Sequence, residues 1–338
     1  MASDLILSLR EVDVRFGKKQ IFHNLDLNIH RGDLIALVGK NGIGKTTLMK
    51  IIEGSQDLDN GEVWQYPGLS VSYFSQQLEV QDDNTIEKEL DSMRSAGRVV
   101  AQVKSELKDF IKPGVRTIDL DRLAEKRVSE LGAKPSFKGY TGGGSSPFPA
   151  TICVSVNEEI VHGIPSDRIL REGDIISVDV GAVVEGFHGD SAFTMGVGDI
   201  SQKANRLIES TRKSLLIGIS NAKDGCRIGD ISSSVQDCAE GLGYSVVRQY
   251  VGHGIGRQLH EEPQVPNYGI AGRGPILKQS MTIAIEPMLN IGGWETVELE
   301  DGWTVSTADG SLSAHFEETI AITKNGPEVL TSLRGGSV

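Results

Sequence analysis

An internal repeat limits how this chain can fold more than any other feature. The stretch KPGVRTIDLDRLAEKRVSELG (112–132) aligns without gaps to KDGCRIGDISSSVQDCAEGLG (223–243), at an offset of 111 residues. Lys112/Lys223, Gly114/Gly225, Arg116/Arg227, Asp119/Asp230, Leu131/Leu242 and Gly132/Gly243 are identical pairs. In each copy a helical pattern precedes the segment and apolar runs suited to strands follow it. Those runs are 152–156, 175–183 and 190–197 in the first copy, and 245–250, 281–288 and 316–323 in the second. The period is too long for a solenoid unit. It implies two related helix–helix–sheet halves of one α/β (α+β) domain. A site in such a domain belongs at the seam, where both sheets contribute.

The first ninety residues follow a different pattern. Residues 5–15 (LILSLREVDVR), 21–29 and 34–38 read as short strands, and 61–76 as strands again. Between them VGKNGIGKTTL contains the phosphate-loop pattern G-x-x-x-x-G-K-[ST], with Gly39, Asn41, Gly42, Gly44, Lys45, Thr46 and Thr47 as candidate nucleotide contacts. Backbone N–H groups of such a loop cradle a polyphosphate, Lys45 reaches its terminal phosphates, and Thr46 meets Mg²⁺. The following KTTLMKIIE reads as a helix stopped by Gly54. From Val99 onward apolar residues fall at 99, 100, 103, 107, 110 and 111, which is helical spacing. The junction near 88–93 has no Pro or Gly linker, and the expected division is 1–90 and 91–338.

Net charge is −12, shared between both parts, so neither has the basic footprint of a nucleic-acid binder. No apolar run is long enough for a membrane helix. Three cysteines (Cys153, Cys226, Cys238) without C-x-x-C spacing argue against a disulfide framework or a zinc knuckle. The expected setting is the cytoplasm.

The chemistry concentrates after residue 150. Asp179 lies in the apolar run IISVDVG and Asp190 in the next, with a hairpin turn expected near 184–186. Glu286 closes MTIAIEP, Glu317 sits in AHFEETIAI, and His253 is flanked by glycines in GHGIG. Carboxylates on apolar strands are costly to bury unless something positive neutralises them. No Lys or Arg shares those strands, so a metal is the economical answer. Oxygen-rich ligation with one imidazole suits Mn²⁺, Fe²⁺ or Co²⁺. Four carboxylates exceed the needs of one ion and suit two, an arrangement used for hydrolysis. Asp179 also ends an apolar run as a Walker B acid would, but Ser177 interrupts that run and Val180 follows where Glu is needed.

Two resemblances bear on these motifs. Residues 1–90 resemble the start of an ATP-binding cassette of the ABC-F kind. Phe16 falls where that family stacks an aromatic on adenine, and Gln76 where its Mg²⁺-contacting glutamine lies. No LSGGQ-type signature follows, so this part reads as an incomplete P-loop NTPase piece without hydrolysis, with ATP and Mg²⁺ as its only candidate ligands. Residues from about 93 to 331 resemble type I methionine aminopeptidases through MRSAGRV, NEEIVHGIP, EGFHGD, GHGIGRQLHEEPQV, IEPM and DGWTVSTADGSLSAHFEETI.

The second resemblance implies a two-half pita-bread fold with metal ligands at Asp179, Asp190, His253, Glu286 and Glu317. It further implies that Asp190 and Glu317 bridge two ions, Asp179 holds the second, and His253 and Glu286 complete the first. By position, His162 and His260 would face the scissile amide while Glu286 shuttles a proton. Tyr140, Phe148, Cys153 and Trp303 would line the methionine pocket. Two departures stand out: the longer TGGGSSP link between Tyr140 and Phe148, and Leu259 where an aromatic is common. The expected activity is removal of N-terminal methionine from nascent chains with a small second residue, with the ribosome as a possible partner. The alternatives are a nucleotide-binding ribosome-associated regulator, a non-catalytic binding protein on the same fold, and a prolidase-like relative.

Overall fold

The computed structural model describes residues 5–16, 19–38, 44–54, 56, 58–66, 69, 71, 86–142 and 146–333. The chain forms two compact units, Met1–Asp82 and Asp83–Val338.

In the first unit, β1 (Leu5–Phe16) pairs antiparallel with β2 (Lys19–His30) and with β3 (Asn60–Gln65), and helix α1 (Lys45–Glu53) lies between β2 and β3 in the chain. Leu7, Leu9, Val12 and Val14 of β1 pack with Leu48 and Ile51 of α1. The inward parity switches between Leu9 and Val12 because the register shifts there, at Glu11 with φ 48°. Helix α1 ends as expected at Gly54, whose left-handed backbone lets its N–H reach the carbonyls of Lys50 and Ile51.

The expected strand at 34–38 does not form. Leu34 and Val38 are 101% and 91% exposed, and the segment has no ladder partner among the described residues. A loop strand of this kind is normally the buried middle of a parallel sheet, and apolar sequence alone cannot make a strand without neighbours to bond its backbone. Gly44 precedes α1, and Lys45, Thr46 and Thr47 begin it. The other expected nucleotide contacts, the Phe16 side chain with Gly39, Asn41, Gly42 and Gln76, lie outside the described residues.

The second unit opens with α2 (Ile86–Phe110), whose start lies upstream of the helical spacing read from Val99. Then come α3 (Thr117–Glu130), β4 (Lys134–Pro135), β5 (Ile152–Val156), β6 (Glu159–Val161), β7 (Ile175–Val184) and β8 (Phe187–Gly196). The second half repeats the plan with α4 (Gln202–Asn221), α5 (Ile228–Gly241), β9 (Ser245–Val246), β10 (Gly252–Gly254), β11 (Glu261–Val265), β12 (Thr282–Ile285), β13 (Met288–Asn290), β14 (Thr296–Glu298), β15 (Val305–Thr307), β16 (Ser313–His315), β17 (Glu318–Thr323) and β18 (Gly326–Val329).

The repeat is a repeat of hydrogen bonds as well as letters. Gly114 donates to Leu170 and Leu170 back to Val115 (both 2.8 Å); Gly225 donates to Leu277 (3.0 Å) and Leu277 back to Cys226 (2.7 Å). Arg116 and Arg227 both stand at the N-caps of the helices that follow, α3 and α5.

Each half has its own core. Val100, Leu107, Leu120 and Val128 of α2 and α3 pack on Val154, Val178 and Val180 of the first sheet. Leu215, Ile219, Ile231 and Val235 of α4 and α5 pack on Ile283, Ile285 and Ile320 of the second. Each such buried side chain contributes about 1.5–3 kcal/mol. The second sheet runs β11-β10-β12-β17-β18, while β7 carries β5 and β8 on its two sides in the first. The halves are stitched where Ala192 and Glu317 exchange backbone hydrogen bonds of 3.2 and 3.0 Å.

Candidate metal centre

Strands β7 and β8 form a hairpin whose tip, Glu185–Gly186, has positive φ at both residues (51° and 83°), as a tight two-residue turn requires. The resulting register pairs Asp179 with Ala192 and Asp190 with Gly181. The two aspartates are therefore diagonal neighbours on one face rather than directly opposite. Asp190 is buried, and its backbone is clasped by Thr319: the Asp190 N–H donates to Thr319 Oγ1 (3.0 Å), which donates to the Asp190 carbonyl (2.7 Å).

The second half supplies the rest. His253 sits on β10, squeezed between β11 and β12. A Cβ on Gly252 would meet the Ala284 carbonyl at 2.3 Å and one on Gly254 the Glu262 carbonyl at 2.3 Å, so only glycine flanks this histidine. His253 Nδ1 lies 2.8 Å from the Gly254 carbonyl oxygen, which makes it the N–H donor and leaves Nε2 with a free lone pair. That Nε2 is 3.7 Å from Oε1 of Glu286, the residue that ends the run of β12. Glu317 precedes β17 and is buried.

Ligand atoms of Asp190, His253 and Glu317 lie within 4.8 Å of one another, as do those of Glu286, His315 and Glu317. Glu317 belongs to both groups. Among the described residues, Asp179 Oδ1, Asp190 Oδ1, Glu317 Oε1 and His315 Nε2 are buried without a hydrogen-bond partner. Orphaned buried acceptors of this kind need an explanation, and divalent cations satisfy all four at once. Burial drives the carboxyls of Asp190 and Glu317 well above the usual range, and takes Asp179 to about 6 and Glu286 to about 8. Bound cations reverse that shift and return the carboxylates. The same burial lowers His253 and His315 to about 4, so both imidazoles stay neutral and able to donate a lone pair.

His315 was not anticipated from the sequence. The signal was there: it lies two residues before Glu317, and alternate residues of an extended segment share a face. A second feature also required the tertiary structure. Although no Lys or Arg sits on the acidic strands, Lys104 of α2 is buried beneath them. Its Nζ contacts Ser191 Oγ and lies 3.2 Å from Glu318, and Ser191 Oγ donates to the Glu317 carbonyl (2.6 Å). This cation is engaged by Glu318 and leaves the four inward carboxylates without a paired positive charge.

Around the acids stand the two other expected histidines. His162 has φ 60° and is held edge-on between Trp303 and Tyr250, with ring centroids at 6.3 and 5.6 Å. His260 stacks edge-on against His253 at 4.3 Å, and its Nδ1 is 2.6 Å from the Tyr140 hydroxyl. Burial lowers both, His162 to about 4.

Phe148, Cys153 and Trp303 are buried in one apolar cluster with Leu259, and Tyr140 packs against it. Phe148 meets Trp303 edge-on at 5.2 Å. The Gly/Ser-rich link joins the cluster through Ser146, whose carbonyl accepts the Trp303 indole N–H at 3.0 Å. Cys153 pairs in register with Asp179, and burial raises its thiol pKa, so it stays protonated.

The model of metallopeptidase family M24 matches residues 91–324. The model described as ABC transporter matches residues 22–135, overlapping the first from 91 to 135. A methionine aminopeptidase of Clostridium perfringens is 50% identical over 248 residues, 73% of this chain and 98% of that protein. Methionine aminopeptidase 1 of Bacillus subtilis is 53% identical over 244 residues, 72% and 96% of the two chains. The crystal structure of methionine aminopeptidase from Thermotoga maritima superposes with a TM-score of 0.70 at 47% identity, covering 72% of this chain and 96% of that one. A prolidase from Pyrococcus furiosus shares the fold at a TM-score of 0.57 and 21% identity, covering 73% and 65%.

Proposed function

The chain belongs to metallopeptidase family M24 and its activity is that of a methionine aminopeptidase, the hydrolytic removal of an N-terminal methionine; we propose here how its own residues divide that work. Residues 91–338 form the catalytic domain. Asp190 and Glu317 would be shared by two metal positions, His253 and Glu286 would complete the first, and Asp179 would serve the second. Manganese, iron and cobalt as divalent ions fit this donor set. Such ions supply Lewis acidity to a carbonyl oxygen and lower the pKa of water.

Glu286 accepts a proton from the attacking water on a carboxylate oxygen and passes it to the departing amide nitrogen. His162 and His260, both neutral, flank the scissile amide and hydrogen-bond it as charge develops. The Tyr140 hydroxyl engages His260 Nδ1 and leaves Nε2 for the substrate. Tyr140, Phe148, Cys153 and Trp303 take the methionine side chain, and the packing of Phe148 on Trp303 supports that role. The substrates are N-termini of nascent cytoplasmic chains with a small second residue.

One observation carries this reading: two ligand groups that share Glu317 and retain orphaned buried atoms, built from both halves. Release of free methionine from Met-Ala-Ser by the purified chain, with Mn²⁺ or Co²⁺ and with chelator, tests it. Metal-dependent release that Asp190→Asn lowers at least ~100-fold is expected. Equal release by the variant would refute the bridging role of Asp190.

For the first unit we propose a cassette fragment without hydrolysis. Its loop segment, residues 34–38, lacks, among the described residues, the sheet neighbours that would hold a nucleotide site in place.

A further inference from the structure

We propose that His315 is a sixth metal-ligating residue, supplying a second imidazole at the position served by Glu317 and Glu286 Oε2. The inference rests on the metal-centre reading above and extends it to a residue outside the five expected ligands.

Three observations carry it. First, His315 Nε2 is buried and has no hydrogen-bond partner among the described residues. Second, it lies 3.6 Å from Glu286 Oε2, while His253 Nε2 lies 3.7 Å from Glu286 Oε1. Neither separation is a hydrogen bond, which would fall near ~2.7–3.2 Å. Both match the edge of a coordination polyhedron, because donors ~2.1 Å from one ion at tetrahedral angles stand ~3.4 Å apart. Glu286 thus has one imidazole beside each oxygen. Third, the backbone that carries His315 is locked. Its N–H donates to Thr194 Oγ1 and its carbonyl accepts from the same hydroxyl, both at 2.8 Å. Since Thr194 spends its proton there, Ser177 must donate to Thr194 across their 2.8 Å contact. The buried hydroxyl that interrupts the apolar run of β7 is therefore part of the frame that aims His315.

The consequence is a donor set of four carboxylates and two imidazoles, one imidazole for each position, in which Glu286 reaches not only the first position through Oε1 but also the second through Oε2. Imidazole nitrogen favours iron, cobalt, nickel and zinc over manganese, which prefers oxygen.

X-ray absorption fine structure of the Co²⁺-loaded wild-type protein, with two ions bound, counts the imidazoles directly. Two imidazoles for two ions are expected, one for each. A single imidazole shared by two ions would overturn the assignment of His315 and leave the metal-centre reading intact. Failure of the folded protein to bind Co²⁺ would overturn both. In His315→Gln, Co²⁺ titration followed by visible absorption should show one of the two ions bound at least ~10-fold more weakly. Unchanged affinity and an unchanged spectrum in this variant would also refute the proposal, and the wild-type count decides the matter if the variant does not fold.

Discussion

At the scale of single residues, the centre works by placing polar atoms where water cannot satisfy them. Asp190 Oδ1 and Glu317 Oε1 have no hydrogen-bond partner among the described residues, and Thr319 clasps the backbone that carries Asp190. The histidines follow the opposite rule, since burial keeps them neutral; His260 is also held by a hydrogen bond at Nδ1. Tyr140 provides that contact. Tyr140→Phe removes one hydrogen bond worth about 1 kcal/mol, so kcat for methionine release should fall ~5-fold with metal binding unchanged. Steady-state kinetics beside a Co²⁺ titration would check this, and weaker metal binding would argue against a role confined to His260. The sequence pointed to the five expected ligands because acids on apolar strands stand out. It did not bring forward His315, because one histidine in a strand has no such contrast with its neighbours until Glu286 and Glu317 are seen around it.

At the scale of elements, the site depends on two close fits. Strand β10 enters between β11 and β12 only because Gly252 and Gly254 lack side chains. Gly254→Ala must displace either His253 or the β11 backbone, at a cost of about 1–3 kcal/mol. Urea denaturation should show that loss and Co²⁺ titration a parallel loss of affinity. The other fit is that of α2 beneath the acidic strands. Lys104 is buried there against Glu318, which keeps 24% of its side chain exposed. Lys104→Met leaves Glu318 uncompensated and should destabilise the chain by about 2–4 kcal/mol, below the fully buried case because of that exposure. Adding Glu318→Leu should recover most of the loss in a double-mutant cycle. Helix α2 itself was legible from its apolar spacing, but its partner was not. Lys104 and Glu318 are 214 residues apart in the chain, and no local pattern links them.

At the scale of the whole molecule, the centre makes the metal-free chain sensitive to pH. Burial raises Glu286 to about 8 and drives Asp190 and Glu317 well above the ordinary carboxyl range, so the folded state holds protons that the unfolded state has released. Stability from these groups is complete below the unfolded carboxyl pKa and is lost as pH rises through the folded values. The buried histidines act oppositely, but only between their folded value of about 4 and the ordinary 6.5. From pH 6.5 to 8 the acids therefore act alone, at up to about 1.4 kcal/mol per pH unit for each retained proton. The chelated protein should melt lower at pH 8 than at pH 6.5, and metal should abolish the difference. A metal-free melting temperature that does not change over this window would show that the carboxyls are already ionised. Neither phosphate release from ATP nor any effect of millimolar ATP on methionine release is expected from the first unit, and measurable hydrolysis would refute its reading as a remnant. What the sequence determined by itself was local or repetitive: the twofold plan, the hairpin that puts Asp179 and Asp190 on one face, the glycines around His253, and the helix between Lys45 and Gly54. Tertiary structure alone decided three further matters: that residues 34–38 form no strand, that Lys104 sits under the acids, and that His315 joins Glu286 and Glu317. The physical reason is the same in all three, because backbone pairing and buried charge are settled by partners far away in the chain.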